Sequence, residues 1–406
     1  MSALRILMYC NDSTGWGHTS RTLAVAGVLS KTLEECSILV LTDLSNIGRF
    51  KLPDRTDYVH LPGLNVKDGS HFSPAGLNLE FENTLRIRRK IAQGTLKTFR
   101  PNLVMFDDSL LELPYEMKKI LSCVIEDLPE AKVIWCLPDT LGDPEWVARK
   151  WKMNGVLEAW EHCADAIMVF GAPQIFDAAA AYGVPPAIAK KFFYTGYLAR
   201  HGAPPQRVRA EIARLNRTLP TVVLAAGGDA GDYPMIDAYL RFLENERDLS
   251  LQSFVFIGPA ITTREKKVLA HRAQRLHSVK LHRVDKHMLS YFRYADLVIS
   301  AGSYNTVCET LAHRKPAIIV PNGKEQPENY FRARFMQERG LASVITPADF
   351  HPQTLRTQIP LLLFGGPRLV QRTQYESVPM DGFAKISEKV RSFLGQTLHL
   401  PMVAAS

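Results

Sequence analysis

At 406 residues, with 46% hydrophobic and 22% charged side chains, the chain has the balance of a globular protein and the length of two domains rather than one. No apolar run approaches the ~18–20 residues that a membrane span needs, and the chain enters Leu4–Tyr9 without the cationic start and long apolar stretch of a secretion signal. Six cysteines with no C-x-x-C pair argue against a zinc site or disulfide framework and for a reducing, cytoplasmic setting; the formal net charge of +8 suits an anionic partner without choosing among nucleotide, membrane and nucleic acid.

In chain order, the first half alternates short apolar runs with longer helical stretches. The runs are Ile6–Tyr9, Ile38–Leu41, Tyr58–Leu61, Leu103–Phe106, Val133–Leu137 and Ile167–Phe170. Bounded by Gly, Pro or Asp, they read as strands buried on both faces of a parallel sheet, an α/β pattern. Phe192–Leu198 reads as a closing strand, and the polar, Pro-containing stretch Arg200–Gln206 as a domain boundary. The second half repeats the alternation with Val222–Ala226, Phe254–Ile257, Val279–Arg283, Leu297–Ile299, Ala317–Val320 and Ser343–Ile345. A last helix, Phe383–Leu394, lines up Phe383, Ile386, Val390, Phe393 and Leu394 on one face, ahead of a loosely held tail from Gly395. The expected architecture is two doubly wound, Rossmann-like domains that take ligands at the carboxyl ends of their strands. The loops Asn11–His18, Asp107–Ser109, Gly227–Asp232 and Ala301–Asn305 follow strands and are expected to line one central cleft.

Chemistry-bearing residues concentrate in those loops. In C-N-D-S-T-G-W-G-H-T-S-R, Gly15 and Gly17 permit a close ligand approach, and His18 opens the first helix. An imidazole there reads as a general base, its pKa held down by the helix N-terminus, or else as part of a capped turn. Asp107 or Asp108 in F-D-D-S would orient it, with Asp139 a third candidate; strand alternation lets one of the first two point inward. Both could instead cap the next helix. Gly227, Gly228 and Gly231 form a candidate anion nest, complicated by Asp229 and Asp232, whose carboxylates repel a diphosphate. The backbone of Val284 and Asp285 can read a base edge with Met288 packed on it, although core packing is the ordinary place for Met288. The basic run Arg86–Lys90 reads as a solvated helix face, or as a surface for an anionic membrane or acidic acceptor. Gly63–Asn78 is a long loop suited to a lid, and His71 within it is a weak rival base.

The densest stretch is Ala301–Asn329. The small turn Ala301, Gly302, Ser303 leads to a helix N-terminus near Tyr304, Asn305 and Thr306, where free amides suit phosphate. Glu309, one turn in, can accept from a diol, and Glu325 and Gln326 lie just beyond the next strand.

With the same lengths, this stretch resembles the donor-binding signature of GT-B nucleotide-sugar glycosyltransferases: the H-x-G-W-N-S-x-x-E and P-x-x-x-[DE]-Q-x-x-N pattern of the plant secondary-product enzymes. The resemblance implies that Asn305 and Thr306 hold phosphates, Glu309 the ribose, and Glu325, Gln326 and Asn329 the sugar loop. Tyr304 stands for the family's Trp, and Ala301 for its phosphate-binding His, a contact left for glycine-loop amides or a basic side chain to replace. Gly15–Thr19 and Gly227–Gly231 are similar to the glycine loops of the bacterial branch that includes the peptidoglycan N-acetylglucosaminyltransferase acting on lipid I, though Asp229 departs from the usual neutral residue. The same resemblance implies an acceptor domain over 1–200, to which the terminal segment 378–396 crosses back, and a donor domain over 201–377. It also implies inverting, metal-independent transfer of a hexose-type sugar, with His18 as base, from a nucleotide diphosphate, a UDP-sugar above all. The acceptor is a small-molecule or lipid-linked hydroxyl, with no resident cofactor and with peripheral contact at the inner membrane face. The +8 charge lacks a nucleic-acid-reading motif. The competing readings are a nucleotide-sugar epimerase of the same fold and a non-catalytic nucleotide-sugar binder; acceptor and oligomeric state stay open.

Overall fold

A computed structural model describes residues 4–12, 16–67, 71–200, 202–226, 232–246, 248–285, 287–321, 327–365 and 372–395. It divides into two compact units. The first takes the chain up to Asp139, Pro144–Gly196 and the end from Asp381; the second takes Thr140–Asp143 and Tyr197–Met380.

The first unit holds β1 (Leu4–Cys10), β2 (Cys36–Thr42), β3 (Thr56–His60), a hairpin of β4 (Leu64–Lys67) and β5 (His71–Pro74), then β6 (Leu103–Asp107), β7 (Lys132–Pro138), β8 (Ala166–Phe170) and β9 (Phe192–Tyr194). Its seven-stranded sheet runs β3-β2-β1-β6-β7-β8-β9, all parallel. Uninterrupted apolar runs form the central strands because helices cover both faces: every residue of β6 and β8 is buried. Strand order reverses between β1 and β6, which pair from Ile6 with Leu103 to Tyr9 with Phe106. That reversal places the carboxyl ends of β1 and β6 side by side, the usual ligand position of a doubly wound sheet.

The second unit repeats the plan with β10 (Thr221–Ala225), β11 (Gln252–Ile257), β12 (Val279–Arg283), β13 (Leu297–Ser300), β14 (Ala317–Ile319) and β15 (Ser343–Val344), in the order β12-β11-β10-β13-β14-β15. Here the reversal lies between β10 and β13, where Ala225 pairs with Ser300.

Each apolar run read from the sequence coincides with or overlaps a strand. Two expectations change. The stretch Gly63–Asn78 is not structureless: β4 and β5 pair antiparallel, and Leu64 and Phe72 pack with Phe81, Leu85 and Leu113. The closing strand stops at Tyr194, because Gly196 takes φ +84° and turns the chain away. The last helix, Gly382–Phe393, buries Ile386 and Val390 and docks on the first helix, Gly17–Thr32, with the Ser387 hydroxyl donating to Thr32 Oγ1 at 2.7 Å. Among the described residues, no helix is long and apolar enough to cross a membrane.

Candidate active site

In the first unit the site grows from the exit of β1. Asn11 and Asp12 leave the strand buried, and the helix Gly17–Thr32 starts five residues after Asp12 with Gly17. Asp12 caps that helix: its carboxylate accepts the Thr19 N–H at 2.6 Å and the His18 N–H at 3.4 Å. A carboxylate on the exposed amides of a first turn is favourable for the reason an anionic ligand would be. Burial, the largest influence, nevertheless raises the Asp12 pKa.

His18 projects its ring across to the end of β6, where Nδ1 lies 2.6 Å from Asp107 Oδ1 and 3.6 Å from Asp108 Oδ1. Both acids are buried and both face the ring, contrary to the expectation that only one turns inward. Asp107 ends the strand and Asp108 opens a short 3₁₀ helix, Asp108–Glu112, so strand alternation no longer separates them. Asp107 also accepts the Ser109 N–H at 3.1 Å, which makes it both cap and imidazole partner. Asp139 packs against Gly171 and is not among the ring's partners.

Arg21, one turn after His18 and 5% exposed, closes the cluster. Its Nη2 lies 2.5 Å from Asp107 Oδ2, 2.6 Å from Asp108 Oδ1 and 3.1 Å from His18 Nδ1. Ligand atoms of His18, Asp107 and Asp108 lie within 4.8 Å of one another, but the cation bridging the carboxylates is this guanidinium. Burial opposes charge on His18, yet Asp107 and Asp108 outweigh it and raise the imidazole pKa, with Arg21 pulling back. The expectation of a pKa held down by the helix terminus therefore fails: Asp12 occupies the terminus, and two carboxylates flank the ring. Burial raises the Asp107 pKa, but Arg21 and then His18 overcome it and hold the carboxyl below its ordinary range.

One residue of the basic run departs from the solvated-face reading. Arg86 and Lys90 are exposed, whereas Arg88 is fully buried. Arg88 donates to Glu116 Oε2 at 3.0 Å, Asp43 Oδ2 at 3.2 Å, Tyr9 Oη at 3.0 Å and Asn11 Oδ1 at 2.7 Å. Asp43 in turn accepts the Asp12 N–H at 2.7 Å, so this network braces the loop that carries the helix cap.

In the second unit, β13 runs into Ala301–Ser303 and the helix Tyr304–Ala312. Gly302 has φ +81°, and a Cβ there would lie 2.6 Å from Ile319 Cγ2, so only glycine makes this turn against β14. Thr306 Oγ1 donates to the Ser303 carbonyl at 2.8 Å. The Tyr304 ring stacks on Tyr197 at 6.2 Å between centroids, with the Arg332 guanidinium 5.7 Å from its own centroid. Buried Arg332 donates to the Gly302 carbonyl at 3.1 Å and to Asn329 Oδ1 at 3.0 Å. Asn329, itself fully buried, thereby braces the turn from behind.

Glu309 is 4% exposed, and burial above all pushes its pKa up to about 7, against the opposing influence of Arg200. Arg200 also donates to Asn305 Oδ1 at 3.3 Å. It thus meets the first turn of the helix Tyr304–Ala312, although by sequence it looked like linker. Met288 lies in a core with Val223, Phe254, Tyr291 and Phe292, the ordinary place for such a side chain. The Val284 N–H bonds the Ile257 carbonyl at 3.0 Å, and the Asp285 carbonyl accepts from Met288 at 3.2 Å with one of its two lone pairs. Gly227, Gly228, Asp229, Gly231, Glu325 and Gln326 lie outside the described residues. Sequence reasoning missed Asp12, Arg21, Arg200 and Arg332 as members of these sites. Only Arg21 carried a signal, its i+3 spacing from His18 on one helix face.

Comparison with known proteins bears on both halves. Residues 237–389 match the Glycosyltransferase family 28 C-terminal domain. The chain is 40% identical over 68 residues to the UDP-N-acetylglucosamine–N-acetylmuramyl-(pentapeptide) pyrophosphoryl-undecaprenol N-acetylglucosamine transferase of Actinobacillus pleuropneumoniae serotype 5b (strain L20), covering 17% of this chain and 19% of that protein. It is 36% identical over 91 residues to the enzyme of the same name from Streptococcus uberis, covering 21% and 25%. The alignments thus span a fifth to a quarter of these relatives' length.

Whole-chain similarity appears in solved structures. CalG4, the calicheamicin glycosyltransferase, superposes with a TM-score of 0.64 at 15% identity over 100% of both chains. Acinetobacter baumannii MurG gives 0.57 at 13%, covering 96% of this chain and 99% of that one. A UDP-glucosyltransferase from Polygonum tinctorium gives 0.66 at 12%, covering 97% and 99%. The fold is GT-B, two Rossmann-like domains each built on a parallel sheet.

Proposed function

We propose that the chain is an inverting glycosyltransferase that moves a sugar from a UDP-sugar to an acceptor hydroxyl. The observation that carries the reading is the 2.6 Å contact between His18 Nδ1 and Asp107, which directs the imidazole Nε2 away from the carboxylates as a base. In the reaction, Nε2 takes the acceptor proton as the hydroxyl oxygen bonds to the anomeric carbon. The bond from that carbon to the diphosphate oxygen breaks on the opposite face, and UDP leaves. Charge on the departing diphosphate falls to the amides opening the helix Tyr304–Ala312 and to Arg200. Glu309 accepts from the ribose diol, and Glu325 and Gln326 take the sugar hydroxyls.

UDP is favoured by the names of the relatives, which carry UDP-N-acetylglucosamine and UDP-glucosyl groups. Those relatives also bracket the acceptor between a lipid-linked and a small-molecule hydroxyl, and a lipid-linked acceptor would bring the first unit to a membrane surface. A thermal-shift screen with nucleotides and nucleotide sugars, followed by UDP release with an acceptor panel, tests the reading; failure of every nucleotide sugar to stabilise the protein would sink it.

A second reading comes from the fold. A putative UDP-N-acetylglucosamine 2-epimerase from Listeria monocytogenes superposes with a TM-score of 0.62 at 10% identity, covering 98% of this chain and 100% of that one. NMR of a donor-only reaction separates the two: an altered free sugar with released UDP marks an epimerase, and an unchanged donor awaiting acceptor marks a transferase.

A further inference from the structure

The Arg21 guanidinium Nη2 bears two hydrogens. Both are accounted for by the two shortest contacts, 2.5 Å to Asp107 Oδ2 and 2.6 Å to Asp108 Oδ1. No hydrogen remains for the third neighbour, His18 Nδ1 at 3.1 Å. Nδ1 therefore cannot be the accepting nitrogen there, and it carries the proton it donates to Asp107 Oδ1 at 2.6 Å. The buried cation and the acceptor-only carboxylate of Asp107 thus agree in leaving Nε2 as the basic nitrogen.

We propose that Arg21 is a positioning residue for His18: by bridging Asp107 and Asp108 it holds, together with Asp107, the Nδ1–H tautomer that keeps Nε2 as the basic atom, and it offsets the charge of the paired carboxylates beside the ring. The proposal rests on the glycosyl-transfer reading for its purpose but not for its test.

Charged and titratable groups face the ring from every neighbouring element. Asp12 comes from the exit of β1, Asp107 from β6, Asp108 from the 3₁₀ helix after it, and Arg21 from the ring's own helix. Cys10 on β1 and Cys136 on β7 are buried thiols whose pKa burial raises, so they stay neutral. Against three carboxylates, Arg21 is the single fixed cation of this set. A nearby charge shifts a pKa by about 1–3 units, and Arg21, of like sign to the imidazolium, pulls the His18 pKa down. Removing it leaves Asp107 and Asp108 to hold the imidazolium unopposed.

The experiment is a histidine NMR titration of the full chain, with the His18 ring assigned by its loss in H18Q. In Arg21→Met the His18 midpoint rises by about one unit or more, and the ring nitrogen shifts lose the pure Nδ1–H pattern. Arg21→Lys keeps the charge and holds the midpoint near that of the unsubstituted protein. A midpoint that stays put or falls in R21M, or one that rises equally in R21K, overturns the proposal. Should R21M not fold, R21K with D108N decides: D108N lowers the midpoint while R21K leaves it, and any other pair of results overturns the proposal. No turnover enters this measurement, so a protein that transfers no sugar would defeat the proposed function and still report on Arg21.

Discussion

The two switch points are built on the same plan and are furnished differently. At the first, between β1 and β6, side-chain charges clamp one another: Asp107 meets both His18 and Arg21, and Arg21 also meets Asp108. At the second, between β10 and β13, the backbone does most of the shaping. Gly302 sets the turn, the helix Tyr304–Ala312 opens beside it, and a buried carboxylate, Glu309, sits one turn deeper with its pKa pushed up to about 7. A preorganised charge cluster suits proton movement, because the partners that fix a tautomer must already be in place. A helix terminus with a desolvated carboxylate suits an incoming anion and a diol, whose hydrogen bonds replace missing solvent.

Substitutions can test the division of labour proposed for these two sites. His18→Ala, the largest effect, is expected to lower turnover on the order of 10²–10⁴-fold while UDP binding by calorimetry stays intact. Comparable loss of both would merge the two sites into one role. Glu309→Ala reverses the pattern: UDP affinity falls by ~1–3 kcal/mol, since a charged hydrogen bond to the ribose is stripped away. An unaltered titration would remove Glu309 from the donor site.

Gly302→Ala forces a left-handed backbone on a residue with a Cβ and drives that Cβ toward Ile319, so denaturant unfolding should show at least ~1–2 kcal/mol of lost stability. Wild-type stability in G302A would mean the turn relaxes freely and does not preshape the phosphate end.

The smallest effect is one of pH. Because the Glu309 pKa is raised in the folded protein, its stability contribution is full below the ordinary carboxylate pKa and is lost as pH rises through about 7. UDP affinity should climb over the same window as the carboxylate ionises and accepts from the diol. Glu309→Gln should flatten both trends, and an unchanged pH dependence in E309Q would assign them to another group.

Much of this was legible in sequence. Parallel strands buried on both faces leave uninterrupted apolar runs, which is why Leu103–Phe106 and Phe254–Ile257 stood out, and strand-end loops marked His18 and Asp107. The hairpin β4–β5 was not legible, because the apolar partners that stabilise it, Phe81, Leu85 and Leu113, come from later elements. Arg88 was misplaced for a similar reason. A run of basic residues resembles a wet helix face until Glu116, Asp43 and Asn11, from three other segments, supply the hydrogen bonds that make burial of a charge tolerable.

By itself, then, the amino-acid sequence determined the local matters: strand periodicity, glycine at a turn only glycine can make, and a spacing from Ala301 to Asn329 that resembles a donor signature. Tertiary structure decided the pairings. Whether Asp107 or Asp108 meets His18, which residue caps the first helix, and where Arg21 directs its two hydrogens all depend on β1 lying beside β6. Hydrogen bonds and charges act over a few ångströms of space, and separation along the chain does not encode those distances.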